Sequence, residues 1–184
     1  MILYRCFPYS PTAKKNEPGH PLFIPMNRAT GRINNPDIYS SSYWSAQAEC
    51  AVAETYGGLM EWSPATFIGT PQLNDSNQAL VSVEIPDAME ILDLDVARNL
   101  VKLKLRPSRV VTRDNSVTQA WAREIFKEKK YAGVAWWSIW WPEWQSLGLW
   151  NLRTTKVMKV EKLNINHDAV VLAADVLNKR VAKS

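Results

Sequence analysis

Cysteine and histidine are scarce in this chain of 184 residues, two of each. Cys6 and Cys50 are too few for a disulfide framework. No CxxC pair or histidine cluster offers a metal site, since His20 and His167 each stand alone among polar neighbours. No window approaches the roughly 20 apolar residues that a membrane span needs. The first residues lack the basic, then apolar, then small-residue order of an export signal, so a cytoplasmic protein is expected. A Gly-rich phosphate loop, a nucleophile elbow and an internal repeat are likewise missing. Net charge is small: 22 Lys and Arg against 18 Asp and Glu give +4. That is compatible with an anionic ligand. It argues against a nucleic-acid binder, because the basic residues do not interleave with the aromatic run described below.

What is present describes one globular domain. Apolar residues make up 46% and charged residues 22%, enough for a single buried core and too short a chain for two. Residues 1–7 form an apolar strand with Arg5 embedded in it. Residues 8–36 hold six of the eleven prolines and read as a long loop, a length more often functional than idle. Around residues 39–57 a Ser-rich strand end runs into a short helix, with Ser45 at the expected N-cap and Gly57–Gly58 as the stop. Strands are expected at 79–85 and 89–94, and residues 97–105 fit helix or strand. A helix is expected at 115–129, opened by a capping box of Ser116 and Gln119, with Val117, Trp121 and Ile125 as its apolar stripe. Residues 131–151 contain six of the nine tryptophans; the run to Trp141 predicts a buried strand alternating its side chains between two faces. A hairpin of 147–153 with 156–163 and a closing helix over 167–181 complete the chain. Strands and helices mix without regular βαβ repetition, so the fold class is α+β, a single domain with mixed central sheets and flanking helices.

Several residues stand out against that background. Arg5 in an apolar strand needs an anion, supplied either by an internal acid or by a ligand phosphate or carboxylate. Arg32, in a Gly turn, is either solvated or a second anion contact. Glu54 sits near a helix C-terminus, the unfavourable end for a carboxylate; it is a surface residue, a partner of Arg5, or a functional acid. Tyr43 fits core or site. Ser138 puts a hydroxyl into a tryptophan-rich strand and needs a partner. The tryptophans themselves serve as core or as stacking surface for a flat ring. Periodicity and composition alone reach an α+β domain with an anion-binding pocket.

The spacing goes further. Tyr4-Arg5 in the first strand, Gly31-Arg32-Ile33-Asn34 in a loop, Tyr43 and Glu54 with ten residues between them, Gly133 and Ser138 with four between them, and then Gly148-Leu149-Trp150 together resemble the RES-domain family. The likeness spans about residues 1–152, leaving 153–184 as a terminal strand and helix. It departs from the family pattern around Ser138, flanked here by Trp137 and Ile139-Trp140, and at Cys6, where some members have Tyr. The resemblance implies a fold like that of the ADP-ribosyltransferase toxins, and a toxin neutralised by an Xre-like helix-turn-helix antitoxin. It implies NAD+ as substrate rather than a bound cofactor, cleaved at the nicotinamide–ribose bond by hydrolysis or phosphorolysis, without a metal. Transferred residue by residue, Glu54 would hold the ribose and stabilise the developing cation. Arg5, helped by Arg32, would grip the diphosphate. Tyr43 would cover the nicotinamide, and Ser138 would bond its amide or orient Glu54. Two other functions fit: ADP-ribosylation of a protein on the same fold, and a Trp-rich nucleotide- or partner-binding module without turnover.

Overall fold

The computed structural model describes residues 1–25, 30–152 and 155–182. Its strands are β1 (Ile2–Tyr9), β2 (Ser41–Ser45), β3 (Glu61–Trp62), β4 (Asn77–Glu84), β5 (Ile91–Asp93), β6 (Gly133–Trp137), β7 (Gln145–Trp150), β8 (Lys156–Lys162) and β9 (Arg180–Val181). Its helices are α1 (Ala48–Tyr56), α2 (Ala97–Lys102), α3 (Pro107–Val110), α4 (Asn115–Lys127) and α5 (Asp168–Val176), with a 3-10 turn at Pro64–Phe67. Seven strands form one mixed sheet in the order β5-β6-β7-β2-β1-β4-β8, and β3 pairs with β9 in a small parallel ribbon. The architecture is α+β, as the mixed order of elements predicts.

The sheet is continuous in hydrogen bonding except at one seam. β1 runs against β4 from Ile2↔Glu84 to Tyr9↔Asn77, and β2 against β7 from Ser41↔Trp150 to Ser45↔Ser146. Between β1 and β2 the register holds a single pair, Tyr4↔Ser45. The two halves are therefore joined at one point and part beyond it, which leaves a cleft lined by two strand edges.

Alternation along β1 sorts its side chains. Leu3 and Phe7 face the cluster built with Trp44, Val81, Val83 and Leu147, while Tyr4 and Cys6 pack the opposite face against α1 and α5. Arg5 shares the face of Leu3 and Phe7. On α1, Cys50, Val52 and Ala53 are fully buried, so the helix is fixed against the sheet by small side chains that allow close approach. A third cluster joins α4 to β6 through Trp121, Ala122, Ile125, Val134 and Trp136.

Five sequence expectations are corrected here. The run to Trp141 is not one strand: β6 ends at Trp137, and the Ser138 N–H donates to the Trp144 carbonyl, closing a loop over 138–144. β7 and β8 do not form a hairpin, because β7 pairs with β2 and β6 while β8 pairs with β4 at the far edge. Arg153, the expected end of that hairpin's first strand, lies outside the described residues. Ser45 is not a cap: it stays in β2, and the N-cap position is Gln47, without a side-chain cap bond. Asp114 rather than the Ser116–Gln119 box caps α4, accepting from the Ser116 N–H, while Gln119 donates to the Gly31 carbonyl. The ambiguous 97–105 segment is helical over Ala97–Lys102, and the closing helix stops at Val176, so Val181 lies in β9.

Two glycines test the sheet packing. A Cβ on Gly133 would stand 2.4 Å from the Gly148 carbonyl oxygen and 3.1 Å from the Leu149 Cα, backbone atoms that cannot rotate away. Gly58 has nothing within 4 Å of that position. Gly133→Ala is expected to lower unfolding free energy by about 1–3 kcal/mol, and Gly58→Ala to change it by less than about 0.5 kcal/mol, both read from urea midpoints.

Candidate active site

The seam between β1 and β2 opens into a cavity of about 580 Å³, within the size range of small-molecule sites. β1 supplies Arg5, β2 supplies Tyr43 and Trp44, α1 supplies Glu54, and β6 and β7 supply Trp136 and Ser146. The proline-rich segment contributes Pro18, His20, Phe23 and Pro25, so the long loop closes one side of the site.

Glu54 lies in the last turn of α1, which carries no basic residue to offset the helix dipole. Its carboxylate is met instead by two hydroxyls: Ser138 Oγ donates to Oε1 at 2.6 Å and Ser146 Oγ at 3.0 Å. Both serines are buried, and Glu54 itself is exposed. Ser138 sits just beyond β6 and also accepts the Trp140 N–H at 3.1 Å. It therefore holds Glu54 from a fixed point in the loop. The pair Ser138–Glu54, 84 residues apart in sequence, is brought together by the structure.

Arg5 reaches the cavity from the other strand edge. Burial pulls its guanidinium pKa down to about 10, which still leaves it charged at neutral pH. Nη2 donates to the carbonyls of Pro21 at 2.5 Å and Phe23 at 3.2 Å, and the guanidinium lies over the Trp44 ring at 4.7 Å. Nε is buried without a partner. No ion pair forms at Arg5 among the described residues, so the internal acid that the sequence left open is not Glu54. Arg5 thus brings to the cavity wall a positive charge that no acidic side chain among the described residues neutralises.

Tyr43 is tied down by its hydroxyl, which donates to Asn34 Oδ1 at 2.6 Å and accepts the Ile33 N–H at 3.0 Å. Ser41 donates to the same Asn34 oxygen at 2.6 Å. Burial pushes the Tyr43 phenol up to about 12. The loop can lie this close because residue 31 is glycine: φ is +137°, and a Cβ there would stand 2.7 Å from the Tyr43 oxygen. The ring faces the cavity while the hydroxyl serves the fold.

Arg32 is not on the cavity wall. Its Nη1 donates to the carbonyls of Val110 at 2.6 Å and Thr112 at 3.1 Å, and the guanidinium lies 5.9 Å from the Trp136 ring. Burial lowers its pKa, with the Glu54 and Tyr43 charges acting in the opposite sense. Arg32 thus adds positive potential near Glu54 while its hydrogen bonds brace the loop against the α3–α4 connection.

The tryptophans divide between jobs that sequence could not separate. Trp136 faces the cavity, Trp144 and Trp150 are core, and Trp141 is exposed on the 138–144 loop. Cys6 also lines the cavity, but burial raises its thiol to about 12 and that of Cys50 to about 11, so neither is a thiolate nucleophile at neutral pH. Among the described residues no group of His, Cys, Asp or Glu could hold a metal, and no helix is long and apolar enough to cross a membrane. Sequence reading assigned no role to Ser146, to the Asn34 side chain or to His20, which lines the cavity from the proline-rich loop. A hydroxyl in the apolar run Ser146-Leu147-Gly148-Leu149-Trp150 carried the same signal that singled out Ser138.

Comparison with known proteins identifies the family and the fold. Residues 2–172 match the RES domain family. No curated protein matches the chain in sequence. The fold is similar to a chain in the crystal structure of the M. tuberculosis MbcT–MbcA toxin–antitoxin complex, at 14% identity and a TM-score of 0.62, over 97% of this chain and 89% of that one.

Proposed function

The chain belongs to the RES-domain family, and from that premise we propose that it is a toxin that degrades NAD+ by cleaving the nicotinamide–ribose bond. One observation carries the reading: the Glu54 carboxylate on α1 and the Arg5 guanidinium on β1, which has no acidic partner among the described residues, stand on the wall of one cavity. Breaking the N-glycosidic bond builds positive charge on the ribose while the diphosphate stays anionic. The site needs a fixed negative group near the ribose and a cation near the phosphates. Glu54 is the first and Arg5 the second. Arg32 contributes field rather than contact, Tyr43 and Trp136 offer ring faces to the nicotinamide end, and Ser138 acts through Glu54.

Water or inorganic phosphate is the acceptor of the ADP-ribosyl group in this reading. The test is nicotinamide release from NAD+ by the purified protein, with and without phosphate. A rate that rises with phosphate identifies phosphorolysis, and an unchanged rate identifies hydrolysis. Nicotinamide release that needs an added macromolecule, and that leaves the macromolecule carrying label from the ADP-ribose part of NAD+, would replace the reading with protein ADP-ribosylation.

The partner proposed is an antitoxin of Xre-like helix-turn-helix type, in keeping with the toxin–antitoxin complex that shares the fold. Expression of the chain alone is expected to lower cellular NAD+ and arrest growth, and co-expression with the protein encoded beside it to restore both. Growth arrest with unchanged NAD+ would count against the proposed chemistry.

A further inference from the structure

Two hydroxyls converge on a single oxygen of Glu54, and only one of them belongs to the residue pattern of the family resemblance. Ser146 is 5% exposed, lines the cavity and donates to Oε1 at 3.0 Å. Its place is set from both sides: it stands opposite Trp136 on β6 and opposite Ser45 on β2. A side chain at the centre of three paired strands has little freedom, and a buried hydroxyl there needs a partner. The Ser138 hydroxyl reaches the same oxygen from the 138–144 loop at 2.6 Å.

The terminal torsion of a glutamate is broad and nearly two-fold, so packing alone rarely chooses which oxygen points where. Two donors from separate elements on Oε1 make that choice. Oε2 takes no hydrogen bond among the described residues. We propose that Ser146 is a positioning residue which, with Ser138, makes Oε1 the held oxygen and leaves Oε2 as the one presented to the ribose. The inference rests on the NAD+-cleaving reading, and it assigns Ser146 a part in the rate rather than in substrate binding.

The experiment measures kcat and KM for NAD+ in Ser146→Ala, Ser146→Cys and Ser146→Thr beside the wild type, with melting temperatures. A hydrogen bond to a charged group, lost where orientation matters, is expected to lower kcat roughly 10- to 100-fold in Ser146→Ala, with KM changed less than about threefold. Ser146→Cys keeps the shape with a weak donor and is expected to fall nearly as far. Ser146→Thr restores the hydroxyl and is expected to recover most of kcat. Wild-type kcat in Ser146→Cys would overturn the inference, as would Ser146→Thr being as slow as Ser146→Ala at equal melting temperature. Should Ser146→Ala not fold, the Cys and Thr variants decide alone. A wild-type protein that releases no nicotinamide removes the parent reading and this one together; turnover that needs Glu54 but ignores Ser146 removes only this one.

Discussion

Glu54→Gln is expected to cut nicotinamide release by about a thousandfold or more while shifting the melting temperature by less than about 2 °C. The two halves of that expectation follow from the same contact. Both serine hydroxyls donate to Oε1, and the carbonyl oxygen of glutamine accepts both in the same place. The amide nitrogen then occupies the position of Oε2, where a donor replaces an acceptor and the charge is gone. Near the end of α1 the loss of a negative charge is, if anything, favourable to the helix. The substitution therefore removes the carboxylate from the developing ribosyl cation and disturbs little else. Substrate binding is expected to survive, because the diphosphate contact lies elsewhere. A folded Gln variant that releases nicotinamide at the wild-type rate would end the assignment of Glu54.

Much of the site was legible because its members are local anomalies. Arg5 is a charge in an apolar strand, Ser138 a hydroxyl among tryptophans, and Glu54 an acid at the wrong end of a helix. Each violates a local rule, and each has its place explained by a long-range contact. What could not be read was where the strands pair. Nothing in 147–163 shows that β7 enters the middle of the sheet and β8 its far edge, since the partners are Ser41–Ser45 and Asn77–Glu84 rather than each other. The end of β6 was hidden for a similar reason: the turn at Ser138 is made by the Trp144 carbonyl, and the apolar run continues through it. Arg32 shows the limit of carrying a motif forward. Its position in the Gly turn is as expected, but Val110 and Thr112, nearly eighty residues away, take its donors.

Arg5→Ala is expected to raise the KM for NAD+ about 100-fold or more, since the phosphate loses two charge-assisted hydrogen bonds at about 1.5–3 kcal/mol each. The structure also gives Arg5 a second task, because Nη2 ties the Pro21 and Phe23 carbonyls and so holds the loop against the cavity. The two tasks separate by ligand. ADP-ribose carries the diphosphate and adenosine does not, so direct contact predicts that Arg5→Ala weakens ADP-ribose about 100-fold and adenosine little. If the loop alone mattered, both ligands would weaken together. Arg5→Lys is expected to fall between, since a point ammonium keeps the charge but cannot serve the loop carbonyls and a phosphate with one planar fork. The desolvated state of the free arginine supports the direct role. Burial has already lowered its preference for the charged form, and Nε has no partner to forfeit. An anion bound beside this side chain meets a charge that water has already largely left, so less of the attraction is spent on removing solvent.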